Sequence, residues 1–321
     1  MESEKKITVA GAGSIGCFVG GLLKNAGRDV SFFGRQRIAD ELQHHGMHLT
    51  DYSGLDVRLS PSEINVSENP KLLSHADIIL VTVKSGATET MSELIGVHAP
   101  RNATVVSLQN GVRNADILSD ALPDHDVRAG MVPFNVVQIG NGRFHRGTSG
   151  VMMVSAGTPD VTSILDVPFL ETKGSSDMKM VLWGKLMVNL NNALNALSDV
   201  TLVEELKDRK WRLQLADQMK EAMSVMRAEG ISPIPPSPVP AWLIPHILRL
   251  PTPVFRAVAK QMLAIDPQAR SSMWEDIQQG RKTEIDELQG EIVRLGEKHG
   301  IPTPVNRNVM QKIKALETVA S

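Results

Sequence analysis

Residues 7–16 read ITVAGAGSIG and organise the first half of this chain. An apolar run suited to a buried strand leads into a glycine turn with the spacing G-x-G-x-x-G, and a helical pattern follows to about Asn25. In that context the first glycine permits a tight turn, the second lets the backbone approach a pyrophosphate, and the third lets helix and strand pack closely. The helix N-terminus adds N–H groups and the positive end of its dipole. The predicted dinucleotide-binding turn comprises Gly11, Ala12, Gly13, Ser14, Ile15 and Gly16.

The end of the second predicted strand indicates which dinucleotide binds. An acidic side chain there would accept a hydrogen bond from the ribose 2′-hydroxyl and select NAD. Here the strand ends in Phe33-Gly34-Arg35 with Arg37 close behind, whereas the acidic Asp29 lies at its start. Guanidinium groups suit a 2′-phosphate. We therefore expect NADP(H); the alternative is that both arginines are ordinary surface residues.

Short apolar runs alternate with helical patterns as far as Asn135 and indicate βαβ units with a parallel sheet covered by helices on both faces. A Gly-rich stretch, Gly140–Gly150, then separates two further runs that predict antiparallel strands appended to this sheet. The predicted strands are Ile7–Ala10, Val30–Phe33, Asp77–Val83, Thr104–Leu108, Val127–Met131, Val136–Ile139 and Val151–Val154.

Helical patterns replace the strands after about Ser176. The predicted fold class is α/β: an N-terminal Rossmann-type parallel-sheet domain, residues 1–176, followed by an all-helical C-terminal domain, residues 177–321. Prolines recur between residues 231 and 253, where they block helix interiors, so this segment is either a surface linker or a lid over a cleft. The longest predicted helices are Met178–Leu206, Trp211–Ala228 and Ser272–His299.

The composition restricts the compartment and the partners. Lys and Arg total 34 and Asp and Glu total 36, for a net charge of −2, which gives no basic field for nucleic acid. The single cysteine, Cys17, favours a reducing compartment, and the apolar runs are too short for a signal peptide or a membrane span. We expect a cytoplasmic protein with a small-molecule substrate. No metal is expected, because His44, His45 and His48 have no cysteine nearby and suit a loop or helix end.

Two polar residues follow apolar strands of the predicted sheet. Lys84 ends the run VTVK, and Asn110 follows the run ending in Leu108-Gln109. Ligands of open α/β sheets bind outside the carboxyl ends of the strands. Position alone leaves each residue equally open to a cofactor contact or an ordinary loop role.

A helical segment in the second half carries an unusual polar stripe. At roughly 100° per residue, Lys185, Asn189 and Asn192 fall within about 60° of one another. Asparagine is a poor helix former, so its repetition here favours buried or ligand-facing amides over a solvated face.

The predicted helix Ser272–His299 holds a carboxylate on its apolar face. Glu284 lies in the middle of that face. A buried carboxylate costs free energy unless it has a partner or a functional role. Glu291 shares the face, so periodicity does not choose between them. Ser272 begins the sequence SMWE, which predicts a capping box.

Taken together, these motifs resemble the 2-dehydropantoate 2-reductase (ketopantoate reductase) family over essentially the full chain. The resemblance is carried by their order and separation: GAGSIG, VTVKS, LQNGV, WGKLMVNLNNALNAL, SSMWEDIQQGRKTEIDELQGEIVRLGEKHGI and TPVN.

The resemblance implies roles for individual residues. Lys185 matches the lysine that gives a proton to the substrate carbonyl oxygen, and Glu284 matches its catalytic partner. Ser272 and Asn189 match substrate contacts. The family often has a further asparagine where this chain has Ala193, and Asn192, one position earlier on the same helix face as Lys185, is carried over as the third substrate contact. The family's 2′-phosphate contact falls on Arg35, and its contacts near the nicotinamide end fall on Lys84 and Asn110.

Three functions follow as hypotheses. The first is NADPH-dependent reduction of 2-dehydropantoate to pantoate in pantothenate biosynthesis. The second is reduction of another branched 2-oxo acid, suggested by Ala193 and the long Pro-rich segment. The third is a non-catalytic NADP-binding redox sensor, which would not need both Lys185 and Glu284. The resemblance is also compatible with a homodimer.

Overall fold

In the computed structural model, which describes residues 5–237, 239–260 and 266–320, the chain divides into two units, Met1–Met178 and Lys179–Ser321. The division falls two residues after the boundary expected from the sequence. The first unit carries a mostly parallel sheet with helices, and the described part of the second unit contains helices and no strand. The α/β fold class is therefore confirmed.

The first unit is built on an eight-stranded sheet with the strand order β12-β11-β8-β7-β6-β1-β2-β5. Neighbouring strands are parallel except β8 and β11, which are antiparallel as the sequence predicts for Val151–Val154. The order reverses between β1 and β6, which makes this the switch point where such folds bind ligands. The strands of the first unit are β1 (Lys6–Ala10), β2 (Asp29–Phe33), β3 (Met47–Asp51), β4 (Asp56–Leu59), β5 (Asn65–Ser67), β6 (Ile78–Val81), β7 (Thr104–Ser107), β8 (Asp126–Met131), β9 (Val136–Gly140), β10 (Arg143–Arg146), β11 (Met152–Ser155) and β12 (Thr172–Ser175).

Apolar clusters cover both faces of this sheet. One contains Phe18 and Phe32, and the other contains Ile79 and Ile95. The strands β6 and β7 are buried along their whole length, as expected for parallel strands covered on two sides. The helices of the first unit are α1 (Ser14–Asn25), α2 (Gln36–His45), α3 (Thr88–His98), α4 (Asn114–Ala121) and α5 (Val161–Leu165).

A second sheet of four strands, in the order β4-β3-β10-β9, corrects one prediction. Val136–Ile139 does form a strand, but it pairs with β10 in this small sheet and not with the main one. The strand β10 itself lies inside the Gly-rich stretch, because Gly140, Asn141 and Gly142 all have positive φ and turn the chain into a hairpin. The strands β3 and β4 alternate buried and less buried residues over only four or five positions, so their apolar signal is weak.

The second unit is a set of packed helices. They are α6 (Met178–Asn189), α7 (Asn191–Ser198), α8 (Leu202–Lys207), α9 (Arg209–Ala228), α10 (Ile244–Leu248), α11 (Thr252–Val258), α12 (Ser272–Gln278), α13 (Gln289–His299) and α14 (Pro304–Ala320).

The prediction of one helix over Met178–Leu206 is wrong, because the structure interrupts it twice. At Leu190 the backbone has ψ −23° and the carbonyl oxygen accepts a hydrogen bond from Gln289 Nε2 at 2.8 Å. At Asp199 the chain turns left-handed with φ 55°, and Asn195 Nδ2 holds the carbonyl of Val200 at 3.0 Å. Both interruptions use long-range or turn contacts that helical periodicity does not register.

The prediction of one helix over Ser272–His299 is also wrong. The helix α12 ends at Gln278, and Gly280 follows with φ 60°, where Arg281 N donates to Asp276 O and Gly280 N to Ile277 O. Residues 279–288 are irregular, so Glu284 lies in a turn and the helical-face argument for it fails. Glu291 is buried in α13 and forms a salt bridge with Arg294 at 2.5 Å, which assigns it a structural role.

The Pro-rich segment is attached to the helical unit at both ends, although Pro238 lies outside the described residues. Near its start, Ile234 N donates to Met180 O at 2.9 Å, and a Cβ on Gly184 would lie 1.8 Å from Ile234 O. Near its end, the buried Arg212 donates to the carbonyl oxygens of Leu248 and Leu250. In the part of the chain that the structure describes, no helix combines the length and apolarity needed to cross a bilayer.

Candidate active site

The glycine turn after β1 has the geometry that a dinucleotide site requires. Gly11 has φ 115°, and a Cβ there would lie 2.7 Å from Val83 N. Gly16 packs against Thr82, whose Oγ1 donates to Gly11 O at 2.6 Å. A Cβ at Gly13, in contrast, would meet no heavy atom within 4 Å. The turn is thus tight toward the protein and open at Gly13.

This opening fits the pyrophosphate of a nicotinamide dinucleotide. Gly13 caps α1, and the first amides of a helix have no acceptor within it. The N–H groups of Ser14 and Ile15 and the helix dipole therefore favour an anion at this point. The N–H groups of Gly11 and Ala12 are already used, because both donate to Phe33 O at 2.9 and 3.1 Å.

The end of β2 lies beside the glycine turn. A Cβ at Gly34 would come within 2.6 Å of Ala12 Cβ, and Arg35 follows as the exposed N-cap of α2. Asp29 lies at the opposite end of β2, where it pairs in register with Lys6. The carboxyl end of β2 thus carries an arginine one residue after its contact with the turn.

A buried polar network joins the loops after β6 and β7. Asn114 Nδ2 donates to Ser85 Oγ at 2.9 Å and to Asn110 O at 2.6 Å. The buried Gln109 supports the same network through Nε2, which donates to Thr88 Oγ1 at 2.7 Å. Lys84, the exposed residue before Ser85, and Asn110 are therefore carried on two loops that are fixed to each other.

In the second unit, the structure brings Lys185 and Glu284 into electrostatic contact. Lys185 lies on α6, and burial lowers the pKa of its ammonium group to about 8, while Glu284 acts in the opposite direction. The turn that carries Glu284 is held at Thr283, whose N–H donates to Glu317 Oε1 at 2.7 Å. An ammonium group with this pKa can give up a proton near neutral pH.

The three predicted substrate contacts occupy different settings. Asn189 is half-buried in the last turn of α6, and Asn192 lies across the break in α7, where its backbone oxygen accepts a hydrogen bond from Ser271 Oγ at 3.0 Å. Ser272 is the exposed first residue of α12. The predicted capping box at Ser272 is wrong, because Ser271 is the N-cap and its hydroxyl accepts a hydrogen bond from the backbone N–H of Trp274, the N3 residue, at 3.2 Å.

Sequence reasoning missed a buried acid close to these residues. Glu205 on α8 is buried, and burial raises the pKa of its carboxyl group to about 8 although Asn195 and Asn191 donate hydrogen bonds to it. Asn195 also accepts a hydrogen bond from Ser271 N through Oδ1 at 2.8 Å. Some asparagines after Lys185 therefore have a structural role. Their repetition in the sequence predicted buried or ligand-facing amides but did not indicate which of the two roles each residue has.

The chain matches known families along most of its length. The model described as Ketopantoate reductase PanE/ApbA matches residues 7–158, and that of Ketopantoate reductase PanE/ApbA C terminal matches residues 177–317. The 2-dehydropantoate 2-reductase of Halobacterium salinarum is 26% identical over 96% of this chain and 98% of its own length. That of Archaeoglobus fulgidus is 26% identical over 98% of both chains.

Solved structures share the fold. A PanE/ApbA family ketopantoate reductase from Ralstonia eutropha superposes with a TM-score of 0.83 at 28% identity, covering 98% of this chain and 99% of the other. D-mandelate dehydrogenase in complex with NADH and anilino(oxo)acetate has a TM-score of 0.80 at 22% identity, with 98% and 99% coverage. The second similarity concerns the fold alone.

Proposed function

Since the chain belongs to the ketopantoate reductase family, we propose that it reduces 2-dehydropantoate to pantoate with NADPH. The observation that carries this proposal is the electrostatic contact between Glu284 and Lys185, a lysine whose pKa burial lowers to about 8. A protein that only binds NADP has no use for such a lysine.

The chemistry divides between cofactor and protein. The nicotinamide cofactor, when bound, supplies the hydride that adds to the ketone carbon. The electron pair of the carbonyl bond then moves to oxygen, which takes a proton from Lys185 Nζ. The positive charge of Lys185 stabilises the developing negative charge on that oxygen, and Glu284 favours the protonated lysine.

The remaining residues have proposed binding roles. Asn189 and Asn192 offer amides on α6 and α7 for the substrate, and Ser272 offers a hydroxyl at the start of α12. Lys84 and Asn110 contact the cofactor toward its nicotinamide end.

NADPH is proposed over NADH because of Arg35. It stands at the carboxyl end of β2, where NAD-selective sites carry a carboxylate, and it can pair with a 2′-phosphate. The fold itself does not choose, since D-mandelate dehydrogenase shares it and was solved with NADH.

A substrate panel tests the proposal. The full chain is assayed with NADPH and NADH against 2-dehydropantoate, other branched 2-oxo acids and an aryl 2-oxo acid. We expect the highest kcat/KM for 2-dehydropantoate with NADPH. A larger kcat/KM for another acid would identify that acid as the better substrate. Absence of turnover with every acid would overturn the proposal that the chain is a 2-oxo acid reductase.

A lysine pair tests the mechanism. Lys185→Ala should lower kcat by about 10²–10⁴-fold, the usual loss on removing a general acid. Lys179→Ala, an exposed lysine on the same helix, is the matched control and should keep full activity. Equal activity of the two variants would exclude Lys185 as the proton donor.

A different 2-oxo acid is the second candidate substrate. Ala193 is buried on α7, so it offers no amide where the family often has one. The Pro-rich segment packs on Gly184, the residue before Lys185, and so places Ile234 beside the lysine-bearing turn of α6. A substrate with a bulkier or more apolar acyl chain would suit a site with an alanine at position 193 and Ile234 close to α6. The substrate panel distinguishes such an acid from 2-dehydropantoate.

A further inference from the structure

We propose that Gln289 is a positioning residue that holds the Lys185 helix and the Glu284 turn in register. This inference rests on the proposed function for its catalytic meaning but on geometry for its placement. Gln289 is completely buried and is the first residue of α13, five residues after Glu284. Its Nε2 donates to Leu190 O at 2.8 Å, at the break that ends α6.

The hydrogen bond defines the orientation of the side chain. Only the nitrogen of an amide can donate to a backbone carbonyl, so Nε2 must face Leu190. The same Nε2 donates to Gln218 Oε1 on α9 at 2.9 Å. Asn306 on α14 extends the contact, since its Nδ2 donates to Gln218 O at 3.2 Å. Gln289 on α13 therefore bonds directly to the break between α6 and α7 and to α9, and α14 joins this network only through Gln218.

The hydrogen bond between Gln289 and Leu190 lies close in sequence to both Lys185 and Glu284. Lys185 precedes Leu190 by five residues on α6, and Glu284 precedes Gln289 by five residues in the turn. A single side chain thus joins the ends of both segments. Without it, the turn that carries Glu284 can shift against α6, and a displacement of about 1 Å in an active site can cost ~10²-fold in rate.

Other charged groups lie in the same turn, where Glu287 interacts with Glu284, Asp286 and Lys282, and Asp286 also forms a salt bridge with Lys314 on α14. Among the described residues, Glu284 is the charged group that acts on Lys185, in addition to burial. Glu221 accepts hydrogen bonds from the backbone of Val305 and Asn306, and Glu291 is paired with Arg294. Movement of the Glu284 turn should therefore be reported by the titration of Lys185.

The test compares two buried glutamines in the full-length protein. Gln289→Leu keeps the approximate volume but loses the donor to Leu190, whereas Gln218→Leu removes only the second acceptor. We expect Gln289→Leu to lower kcat by about 10- to 100-fold with an unchanged KM for NADPH, and to move the alkaline limb of the pH profile to lower pH. Gln218→Leu should keep the wild-type limb even if it melts earlier.

A second readout does not depend on turnover. The titration of Lys185 Nζ can be followed by NMR, with Lys185→Ala used to assign the signal. A folded Gln289→Leu protein with wild-type kcat and a wild-type Lys185 titration would overturn the proposal. If Gln289→Leu does not fold, Gln289→Asn withdraws the same amide by one methylene and should shift the titration in the same direction. A shifted titration in a protein that reduces no 2-oxo acid would retain the positioning role and reject the proposed function.

Discussion

A Cβ placed on Gly16 would lie 2.4 Å from the carbonyl oxygen of Gly11, so the first and last glycines of the turn are in direct contact. Backbone atoms cannot yield at that distance without moving α1 away from β1. The middle glycine is different, because a Cβ on Gly13 would point into open space. The same motif therefore contains one position that the fold requires and one that we assign to the ligand.

Alanine substitutions should separate these two roles. Gly16→Ala should lower the free energy of unfolding by about 1–3 kcal/mol, the usual cost of overpacking. Gly13→Ala should change stability by ~1 kcal/mol or less, as an altered N-cap, but weaken NADPH binding. Thermal unfolding and cofactor titration measure the two effects. Wild-type affinity in Gly13→Ala would contradict the assignment of the opening to the pyrophosphate.

The pH dependence of turnover should report Lys185. In the proposed mechanism the protonated lysine is the proton donor, and burial lowers its pKa to about 8, so kcat/KM should fall as pH rises through about 8. Because Glu284 raises that pKa, Glu284→Gln should move the falling limb to lower pH. Glu287→Gln, which alters another carboxylate of the same turn, is the control and should leave the limb in place. If Glu284→Gln leaves the falling limb at its wild-type pH, Glu284 does not influence the pKa of Lys185.

Arg35 should decide between the two dinucleotides. Arg35→Ala should raise the KM for NADPH by roughly 10- to 100-fold, since hydrogen bonds to charged groups contribute about 1.5–3 kcal/mol, and should leave the KM for NADH nearly unchanged. Arg37→Ala is the matched control, because Arg37 is exposed and paired with Glu41 at 3.7 Å. An equal loss with both cofactors would show that Arg35 does not contact the 2′-phosphate.

Glu205 should make the stability of the protein depend on pH. Burial raises the pKa of its carboxyl group from 4.5 to about 8 in the folded state. The folded state then favours the protonated acid, so this contribution is complete below pH 4.5 and is lost as pH rises to about 8. Relative to Glu205→Gln, the wild type should lose roughly 2–4 kcal/mol of unfolding free energy across that range.

The surroundings of Glu205 also accommodate the glutamine of the Glu205→Gln variant. Among the described residues, Asn191 Oδ1 is buried without a hydrogen-bond partner, and an amide at position 205 could donate to it at any pH. Denaturant unfolding at pH 5 and pH 8 measures the difference. Glu204→Gln, at an exposed capping position on the same helix, should show the wild-type pH dependence. If the free energy of unfolding changes with pH equally in the wild type and in Glu205→Gln, Glu205 does not cause the pH dependence.

Six of the eight strands of the main sheet, all except β5 and β12, could be predicted because their signals are local. Buried parallel strands such as β6 and β7 are continuous apolar runs, and the glycine turn has a spacing with one structural explanation. The small sheet could not be predicted, since β3 and β4 are short and half polar and β3 has its second partner in β10, which is distant in sequence. The helix breaks at Leu190 and Gly280 were also missed, because helical periodicity continues through both positions.

Local sequence was sufficient to predict the geometry of the glycine turn, because Gly11, Gly13 and Gly16 lie within one strand–turn–helix unit. The resemblance to a family pointed to Lys185 and Glu284, but the helical argument for Glu284 was wrong. Tertiary structure alone brings that carboxylate to the lysine, since the two residues are 99 positions apart and Glu284 lies in the irregular segment between α12 and α13. Their interaction depends on burial and on packing between helices, and neither is encoded in the neighbours of either residue.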